Sequence, residues 1–421
     1  MLIRNALSLS SARLAAKGMA FFAAVLVARR LGAGDYGQYS LILAFSLLFS
    51  YLADFGLVSL LVREVACEPF QASDLLSRAL TAQVTVSLAG ISALLCAGFL
   101  LEPSGLIRIG ILLAAAGLFL ESLGRPFSGV LLGQQRVLAS AVATATGSIV
   151  NTTLLIGVIL VRPGVLNLVL VTIPVGVLSA LLPAALVWRT GVRPSMSLRL
   201  DAIRLLQQSL PFAILAGSLV LYDRIDIVLL AHLKSSVDVG IYAAADRVIE
   251  GLLVIPAGIG AALYPTLASN PVQARRRLRF ALSWTLPLGL LLTVLAVLPG
   301  SQLVELLFGA RYSGVGAAFA ILAPTLLLQM LNIPLAYLLQ AERRTWSAIA
   351  AVLGGLLTNV ALNFVLIPAM GFRGAALSAT IAELTVAGVL AASLRLGSRR
   401  AHHRIQIAPA ALSEPAPNIT P

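Results

Sequence analysis

Long apolar segments separated by short polar breaks dominate this chain. A helix that spans a membrane needs about 20 consecutive apolar residues, and runs of that length recur along the whole sequence. The pattern predicts twelve such helices, at residues 6–28, 38–62, 79–101, 107–132, 138–161, 165–188, 208–232, 240–263, 280–298, 316–340, 346–367 and 374–394. The sequence therefore predicts an all-α integral membrane protein.

The composition agrees with a chain dissolved in lipid. Hydrophobic residues make up 59 % of the 421 residues and charged residues only 11 %, whereas a soluble domain carries about 25 % charged residues. No connection between predicted helices is long enough to fold as a domain. We therefore expect a six-helix lobe at residues 1–190, a linker at 191–207, a second six-helix lobe at 208–394 and a disordered tail at 395–421.

The distribution of positive charge predicts the orientation. The chain has 30 Lys and Arg residues against 17 Asp and Glu residues. Of the basic residues, 21 fall on one side of the predicted membrane and 7 on the other, and the more basic side is the cytoplasmic one. Twelve helices place both termini on that side. This bias explains the basic character without nucleic acid, and no aromatic-rich basic patch that would hold one is present.

The residues that usually carry enzyme chemistry are sparse. Cys67 and Cys96 lie far apart, and the chain has no CxxC motif of the kind that marks redox or zinc sites. We find no paired-acid site, no nucleotide-binding loop and no cluster with the spacing of metal ligands. The sequence therefore predicts a protein without a catalytic site, a cofactor or a metal.

The two halves of the chain resemble each other. The motif DYGQY at residues 35–39 opens the second predicted helix, and DVGIY at 238–242 opens the eighth, 203 residues later. Further pairs are 208 residues apart: Arg125-Pro126 with Ile333-Pro334, and Asn151 with Asn359. Each half contains an even number of helices, so both insert in the same orientation. Such parallel repeats, related by an axis along the membrane normal, occur in transporters whose substrate site lies between the halves.

Ionisable residues inside the predicted helices are candidate functional residues, because a charge at membrane depth is costly. They concentrate in the seventh and eighth helices, at Asp223, Arg224, Asp226, Asp246, Arg247 and Glu250. Arg224 points away from the face shared by its two neighbouring acids, so we expect its partner on another helix. Arg247 and Glu250, three residues apart, are expected to pair within one helix. The pattern indicates two facing helices that line a hydrated cavity, unless these charges only neutralise one another and hold the helices together.

The candidate charges suggest two roles. An unpaired arginine in the cavity would bind a phosphate or pyrophosphate through charge-assisted, bidentate hydrogen bonds. Arg224 and Arg247 are the candidates, with Arg30 near the outer mouth. Glu121 and Arg125, four residues apart, are expected to form an intrahelical pair. The second role is ion coupling: carboxylates in the cavity could carry protons or sodium ions, or simply pair with the arginines there. The candidate carboxylates are Asp54, Asp223, Asp226, Asp246 and Glu250.

Six short motifs follow one another in a characteristic order: RRLGAGDYGQY at residues 29–39, ADFGL at 53–57, YDRIDIVLL at 222–230, DVGIY at 238–242, LFGARY at 307–312 and LNFVLIP at 362–368. Their order resembles that of polysaccharide-biosynthesis membrane proteins. These are lipid-linked oligosaccharide flippases, of the O-antigen type, in the multidrug/oligosaccharidyl-lipid/polysaccharide exporter superfamily.

This resemblance implies two six-helix lobes around a V-shaped cavity. It further implies transport of an undecaprenyl-pyrophosphate-linked oligosaccharide across the bacterial inner membrane by alternating access, for lipopolysaccharide or another surface polysaccharide. On the matching segments, Arg224 and Arg247 would be the cationic residues that meet the anionic substrate. The implied partners are the lipid-linked oligosaccharide, membrane lipids and other polysaccharide-assembly proteins.

Two other functions stay open. A drug or cation antiporter of the same superfamily would need an acidic, aromatic cavity for its cations, but aromatic residues make up only 6 % of this chain and arginines lie among the acids. A membrane-embedded glycosyltransferase or polymerase would need a large outer loop with catalytic carboxylates, and the predicted outer loops are short.

Overall fold

The computed structural model describes residues 18–194, 202–269, 271–342 and 344–407, and the regular elements in those ranges are helical. The first half contains α1 (18–31), α2 (Ala33–Asp54), α3 (Leu57–Cys67), α4 (Ala72–Leu101), α5 (Gly105–Gly133), α6 (Val137–Val161), α7 (Val165–Leu170) and α8 (Thr172–Trp188). The second half contains α9 (Ala202–Leu233), α10 (Ser236–Leu252), α11 (Val254–Ser269), α12 (Pro271–Leu295), α13 (Ser301–Phe308), α14 (Val315–Leu322), α15 (Pro324–Ala341), α16 (Thr345–Met370) and α17 (Phe372–Ile407).

Several predicted spans are broken into two helices. Residues 38–62 were predicted as one span, but α2 ends before Phe55 and Gly56, which both have left-handed backbone conformations with φ of 47° and 73°. A short π-helical segment separates α12 from α13, and Pro324 begins α15 immediately after α14. The apolar pattern continues across each break, so it cannot reveal where the backbone turns.

Eight helical segments of the described chain are long and apolar enough to cross a membrane. They contain α4, α5, α6, α7–α8, α12–α13, α14–α15, α16 and most of α17. The other four predicted spans correspond to α1, α2–α3, α9 and α10–α11. Helices α9 and α10 carry the charged residues identified above, which lowers their apparent hydrophobicity. The part of the first predicted span at residues 6–17 lies outside the described residues.

Each half of the chain packs around its own central helices. In the N-terminal lobe, α5 contacts α2, α3, α4, α7 and α8. In the C-terminal lobe, α16 packs against α17 and α9, while α15 packs against α11, α12 and α17. The two lobes meet where α2 of the first packs against α9 and α10 of the second. The boundaries proposed for the lobes and the linker remain predictions.

The contact between α2 and α10 is symmetric. A Cβ atom added to Gly37 would lie 1.8 Å from the carbonyl oxygen of Ser236, and one added to Gly240 would lie 1.9 Å from that of Ala33. The repeat offset of 203 residues relates Ala33 to Ser236 and Gly37 to Gly240. The two helices therefore cross at equivalent glycines, as expected of parallel repeats related by a pseudo-two-fold axis.

The last helix is longer than the sequence pattern indicated. We expected a helix at 374–394 followed by a disordered tail from residue 395, whereas α17 continues to Ile407. The predicted membrane span ended at residue 394 because the stretch that follows is polar. A helix can nevertheless continue through polar residues, and no proline interrupts this one before Pro409. Residues 408–421 of the predicted tail, and 195–201 of the predicted linker, lie outside the described residues.

Candidate functional site

A polar cavity lies between the lobes, where α2 faces α9 and α10. Its volume is about 60 Å³. Helix α2 supplies Tyr36, Tyr39 and Ser40 to its wall, and α2, α9 and α10 each supply apolar side chains. The charged residues that line it are Arg224 from α9 and Asp246, Arg247 and Glu250 from α10. Four of the six charges predicted to form one seam therefore meet in a single site.

Glu250 holds the two arginines of this cavity together. Its Oε1 lies 2.5 Å from Nη2 of Arg224, and its Oε2 lies 2.8 Å from Nη1 of Arg247. Nη1 of Arg224 is 3.6 Å from Oδ2 of Asp246. These ion pairs confirm that Arg224 finds its partners on another helix and that Arg247 pairs within its own. They also correct the expectation of an unpaired arginine, since two acids neutralise two arginines.

Arg247 nevertheless retains hydrogen-bonding capacity toward a ligand. A guanidinium carries five N–H donors, and the side chain of Arg247 is 39 % exposed, compared with 17 % for Arg224. Arg247 and Glu250 also border a larger cavity of about 540 Å³. The rest of its wall comes from α1, α10 and α11, at Gly18, Ala20, Phe21, Val248, Gly251, Leu252 and Val254. A charged site therefore adjoins a mainly apolar cavity.

Asp226 belongs to a different polar cluster from the one predicted. Its carboxylate is 4 % exposed and accepts hydrogen bonds from the hydroxyl of Tyr242 and from Nδ2 of Asn363, both at 2.6 Å. The amide of Asn363 also bonds to Oδ1 of Asn359. Asp223, on the same face of α9, lines a further cavity in the C-terminal lobe. The two acids thus form no ion pair in the Arg224 cluster, but both lie close enough for an electrostatic interaction with it, Asp223 with Arg224 and Asp226 with Asp246.

Arg30 and Asp54 also lie apart from the central cluster. Arg30 is exposed in the last turn of α1 and lines neither cavity just described. Asp54 ends α2 and lies close enough to Arg125 for an electrostatic interaction. Arg125 donates from Nη1 to the carbonyl oxygen of Ser50 at 2.7 Å, and its Nη2 lies 3.1 Å from Oε1 of Glu121. The predicted intrahelical pair of Glu121 and Arg125 is therefore confirmed.

Sequence reasoning missed the environment of Glu383 on α17. Its Oε1 accepts hydrogen bonds from the hydroxyl of Tyr222 at 3.0 Å and from Nε2 of Gln329 at 2.7 Å, and its Oε2 accepts one from Nδ2 of Asn332 at 2.7 Å. These partners are 51 to 161 residues away along the chain. The only sequence signal was a lone carboxylate in an apolar helix, which requires partners on other helices.

Within the described ranges, no group of three or more His, Cys, Asp and Glu side chains is arranged to hold a metal ion. Cys67 and Cys96 are both free thiols and exposed. The charged side chains of the interlobe cavity are arginines and carboxylates, so its chemistry is that of ion pairing and hydrogen bonding.

Comparison with known sequences identifies two family profiles and one relative. The profile described as polysaccharide biosynthesis protein matches residues 2–270, and the MatE profile matches residues 211–365. A protein of Haloferax volcanii named probable flippase AglR is 31 % identical over 186 residues, which cover 40 % of this chain. The match spans 37 % of that relative's length.

Comparison with solved structures establishes the fold. The lipid II flippase MurJ, in an inward closed conformation, superposes with a TM-score of 0.77 at 14 % identity, over 92 % of this chain and 87 % of that chain. An inward-facing multidrug resistance MATE family transporter of the MOP superfamily superposes with a TM-score of 0.73 at 15 % identity, over 90 % and 95 %. In these neighbours twelve helices form two lobes. The named relatives and neighbours are flippases or transporters, not enzymes.

Proposed function

Because the chain belongs to the polysaccharide biosynthesis protein family, we propose that it is a flippase for a lipid-linked oligosaccharide. The substrate we assign is an undecaprenyl-pyrophosphate-linked oligosaccharide, which the protein moves across the bacterial inner membrane by alternating access. The observation that supports this assignment is the position of Arg247, which borders both the polar cavity and the larger apolar cavity. A substrate with an anionic head and a lipid tail matches both surfaces.

The pyrophosphate binds by competing with Glu250 for the arginines. A phosphate group accepts bidentate hydrogen bonds from a guanidinium as a carboxylate does. Arg247 offers the first contact because it is the more exposed arginine. When the pyrophosphate takes the place of Glu250, Arg224 becomes a second donor on the opposite helix. The arginines thereby exchange one set of charge-assisted hydrogen bonds for another, while the displaced carboxylate of Glu250 loses both arginine partners and must be hydrated, protonated or bound by a sodium ion instead.

The lipid tail remains in an apolar environment throughout this movement. The larger cavity beside Arg247 is lined largely by apolar residues of α1, α10 and α11. A polyprenyl chain in this cavity, or in the bilayer next to it, avoids exposure to water. Only the head group and the glycan then need a polar path between the lobes.

Release of the arginines from their acidic partners could couple transport to the binding of an ion. Asp246 and Glu250 neutralise them in the described state, and binding of a proton or sodium ion to either acid would weaken these pairs. We assign the coupling role first to these two residues. Asp223 and Asp226 lie next to the ion-paired cluster and interact electrostatically with it, so they are second candidates. Asp54 lies near Arg125 instead, and any coupling through it would act by movement of the helices.

The orientation follows from the positive-inside bias, which places both termini in the cytoplasm. The crossing of α2 and α10 at Gly37 and Gly240 then lies toward the periplasm and closes that side. The site would open toward the cytoplasm, where lipid-linked sugars are assembled for export into lipopolysaccharide or another surface polysaccharide. Other assembly proteins would receive the product at the periplasmic leaflet.

The MatE match over residues 211–365 raises a second candidate, a drug or cation antiporter. Its cargo would be cationic, and the acids of the interlobe site, Asp246 and Glu250, are already paired with arginines, so a cation would have to displace an arginine to bind there. Efflux of small organic cations from cells that express the chain, without any change in glycan lipids, would favour this alternative.

The proposal is tested by the leaflet distribution of lipid-linked oligosaccharide in cells with and without the protein. We expect the intermediate to accumulate on the cytoplasmic leaflet in the cells that lack it, and to reach the periplasmic leaflet when the gene is restored. An unchanged distribution would refute the flippase. A shortened or missing lipid-linked glycan would point instead to a glycosyltransferase or polymerase.

A further inference from the structure

Each lobe contains a cavity of its own, and these two cavities occupy equivalent places. The N-terminal cavity lies between α5, α6 and α8 and has a volume of about 300 Å³. The C-terminal cavity lies between α9, α15, α16 and α17 and has a volume of about 200 Å³. The repeat offset of 208 residues relates six pairs of lining residues: Glu121 and Gln329, Gly124 and Asn332, Arg125 and Ile333, Ser128 and Ala336, Thr144 and Val352, and Val175 and Glu383.

The two cavities differ in the side chains at their polar ends. In the C-terminal lobe, the carboxylate of Glu383 occupies the polar end of the cavity and is bound by Tyr222, Gln329 and Asn332. In the N-terminal lobe, Gly124 replaces Asn332. A Cβ atom on Gly124 would lie 1.9 Å from the carbonyl oxygen of Ser179, so α5 and α8 pack closely there. At the position equivalent to Glu383 the N-terminal cavity has Val175, so no carboxylate lies at that place in its wall.

The wall of the N-terminal cavity is polar but electrically balanced. Glu121 and Arg125 form an ion pair at its edge, and the side chain of Glu121 is 49 % exposed. Ser148, Asn151 and Ser179 also line it, and in the described part of the chain their side chains form no hydrogen bonds. Polar groups at membrane depth require partners. These groups offer both donors and acceptors without net charge, which suits a neutral ligand rich in hydroxyl groups.

The size and the location of the cavity agree with such a ligand. Pockets for small molecules begin at about 300 Å³, which accommodates a sugar ring. Arg125 donates to Ser50 of α2, and Ser40 of the same helix lines the central polar cavity. Ten residues of helix span about 15 Å, which is within reach of an oligosaccharide of a few sugar units. An oligosaccharide of that length, attached to a pyrophosphate at Arg247, is therefore the kind of ligand that we consider for this cavity.

We propose that the cavity between α5, α6 and α8 binds sugar residues of the lipid-linked substrate while the pyrophosphate contacts Arg247. This inference rests on the proposed flippase function and adds a glycan-recognition subsite to it. The N-terminal lobe then recognises the sugar, whereas the equivalent cavity of the C-terminal lobe is smaller and has the Glu383 carboxylate at its polar end. Selectivity among glycans resides in Ser128, Thr144, Ser148, Asn151 and Ser179.

Cysteine protection tests the inference at matched positions. In a background in which Cys67 and Cys96 are replaced by serine, Ser128→Cys places a thiol in the N-terminal cavity, and Ala336→Cys places one at the equivalent C-terminal position. Leu47→Cys reports on the central polar cavity, whose wall it shares. The rate of modification by a small methanethiosulfonate reagent is measured in detergent. The ligands are lipid-linked oligosaccharide extracted from the producing cells and undecaprenyl pyrophosphate without sugar.

We expect both ligands to slow modification at position 47, and only the oligosaccharide to slow it at position 128. At a ligand concentration about ten times Kd, occupancy predicts a reduction of about tenfold. Position 336 should respond to neither ligand, which separates occupation of one cavity from a general closure of the lobes. Ser148→Cys, a second reporter in the same cavity, should repeat the result at position 128.

Three results would overturn the inference: equal protection at position 128 by both ligands, no protection there by the oligosaccharide, or no modification at positions 128 and 148 even without ligand. If position 47 is protected while position 128 is not, only the glycan subsite fails. If neither ligand protects position 47, the proposed pyrophosphate site itself fails.

Discussion

Glu250 is the residue on which the central site depends. It bridges Arg224 on α9 and Arg247 on α10, and so it both neutralises the cavity and joins two helices. A ligand that binds these arginines must first displace this carboxylate. The strength of substrate binding is therefore set by a competition between two anions for the same guanidinium groups.

Glu250→Gln tests this competition, because glutamine keeps the shape and removes the charge. We expect the affinity for undecaprenyl pyrophosphate to rise about tenfold, equivalent to about 1.4 kcal/mol, since a neutral amide competes weakly for the arginines. Binding to purified protein in detergent measures the change, with the exposed loop variant Glu68→Gln as control. Unchanged or weaker binding by the Glu250 variant would show that Glu250 does not compete with the pyrophosphate.

At the scale of elements, the crossing of α2 and α10 determines how closely the lobes approach. Equivalent glycines lie at the crossing, and each faces a backbone carbonyl of the other helix. A backbone atom cannot move aside as the end of a flexible side chain can. Any side chain at these positions must therefore separate the two helices.

Gly37→Ala and Gly240→Ala should both weaken the closed arrangement and reduce transport to a similar degree, because the contacts are related by the repeat. Gly157→Ala is the matched control, since a Cβ atom there would meet no heavy atom within 4 Å; it should transport normally. Thermal unfolding and transport assays measure the effects. Normal transport and normal stability in both crossing variants would contradict a role for this contact.

A second contact between the lobes lies near the same end. Oε1 of Glu102, just beyond α4, is 3.8 Å from Nε2 of His232 on α9. Burial raises the pKa of the Glu102 carboxyl above its ordinary value, and the nearby His232 lowers it in part. The folded protein therefore binds a proton at Glu102 more readily than the unfolded chain does. Ionisation of this group destabilises the folded state.

Stability should accordingly fall as pH rises from the ordinary range of glutamate through the raised pKa of Glu102. The glutamine of Glu102→Gln stays neutral at every pH, so the variant should not show this fall. The free energy of unfolding of the variant, relative to that of the parent protein, should therefore increase as pH rises. Thermal melts of both proteins across acidic to neutral pH measure the difference. A difference that stays constant with pH, or one that changes in the opposite direction, would contradict the account.

The elements also show what a sequence can and cannot predict. Apolar runs located the helices, and spacing alone paired Arg247 with Glu250 and Glu121 with Arg125, since three or four residues make one helical turn. The partners of Asp226 and Glu383 could not be predicted in this way, because Asn363 and Tyr222 lie 137 and 161 residues away. Such contacts depend on how helices pack, which helical periodicity does not encode.

At the scale of the whole molecule, two related lobes have acquired different interiors. The repeat aligns their helices and their internal cavities, but one cavity holds a hydrogen-bonded carboxylate, and the other is lined by hydroxyl and amide groups, of which Ser148, Asn151 and Ser179 form no side-chain hydrogen bond within the described residues. The site between the lobes contains charged side chains, but its two arginines and two acids leave it without net charge. A substrate with an apolar tail, an anionic linkage and a neutral glycan would use each of these surfaces differently.

The most direct test of the central claim is lipid flipping in reconstituted vesicles. Purified protein is placed in liposomes that contain extracted lipid-linked oligosaccharide, and a membrane-impermeant glycan oxidant measures the fraction of glycan exposed outside. We predict that the glycan of the inner leaflet becomes accessible over time with the parent protein, but stays protected with the Arg224→Ala and Arg247→Ala double variant. Persistent protection with the parent protein, or equal exposure with the double variant, would contradict the account.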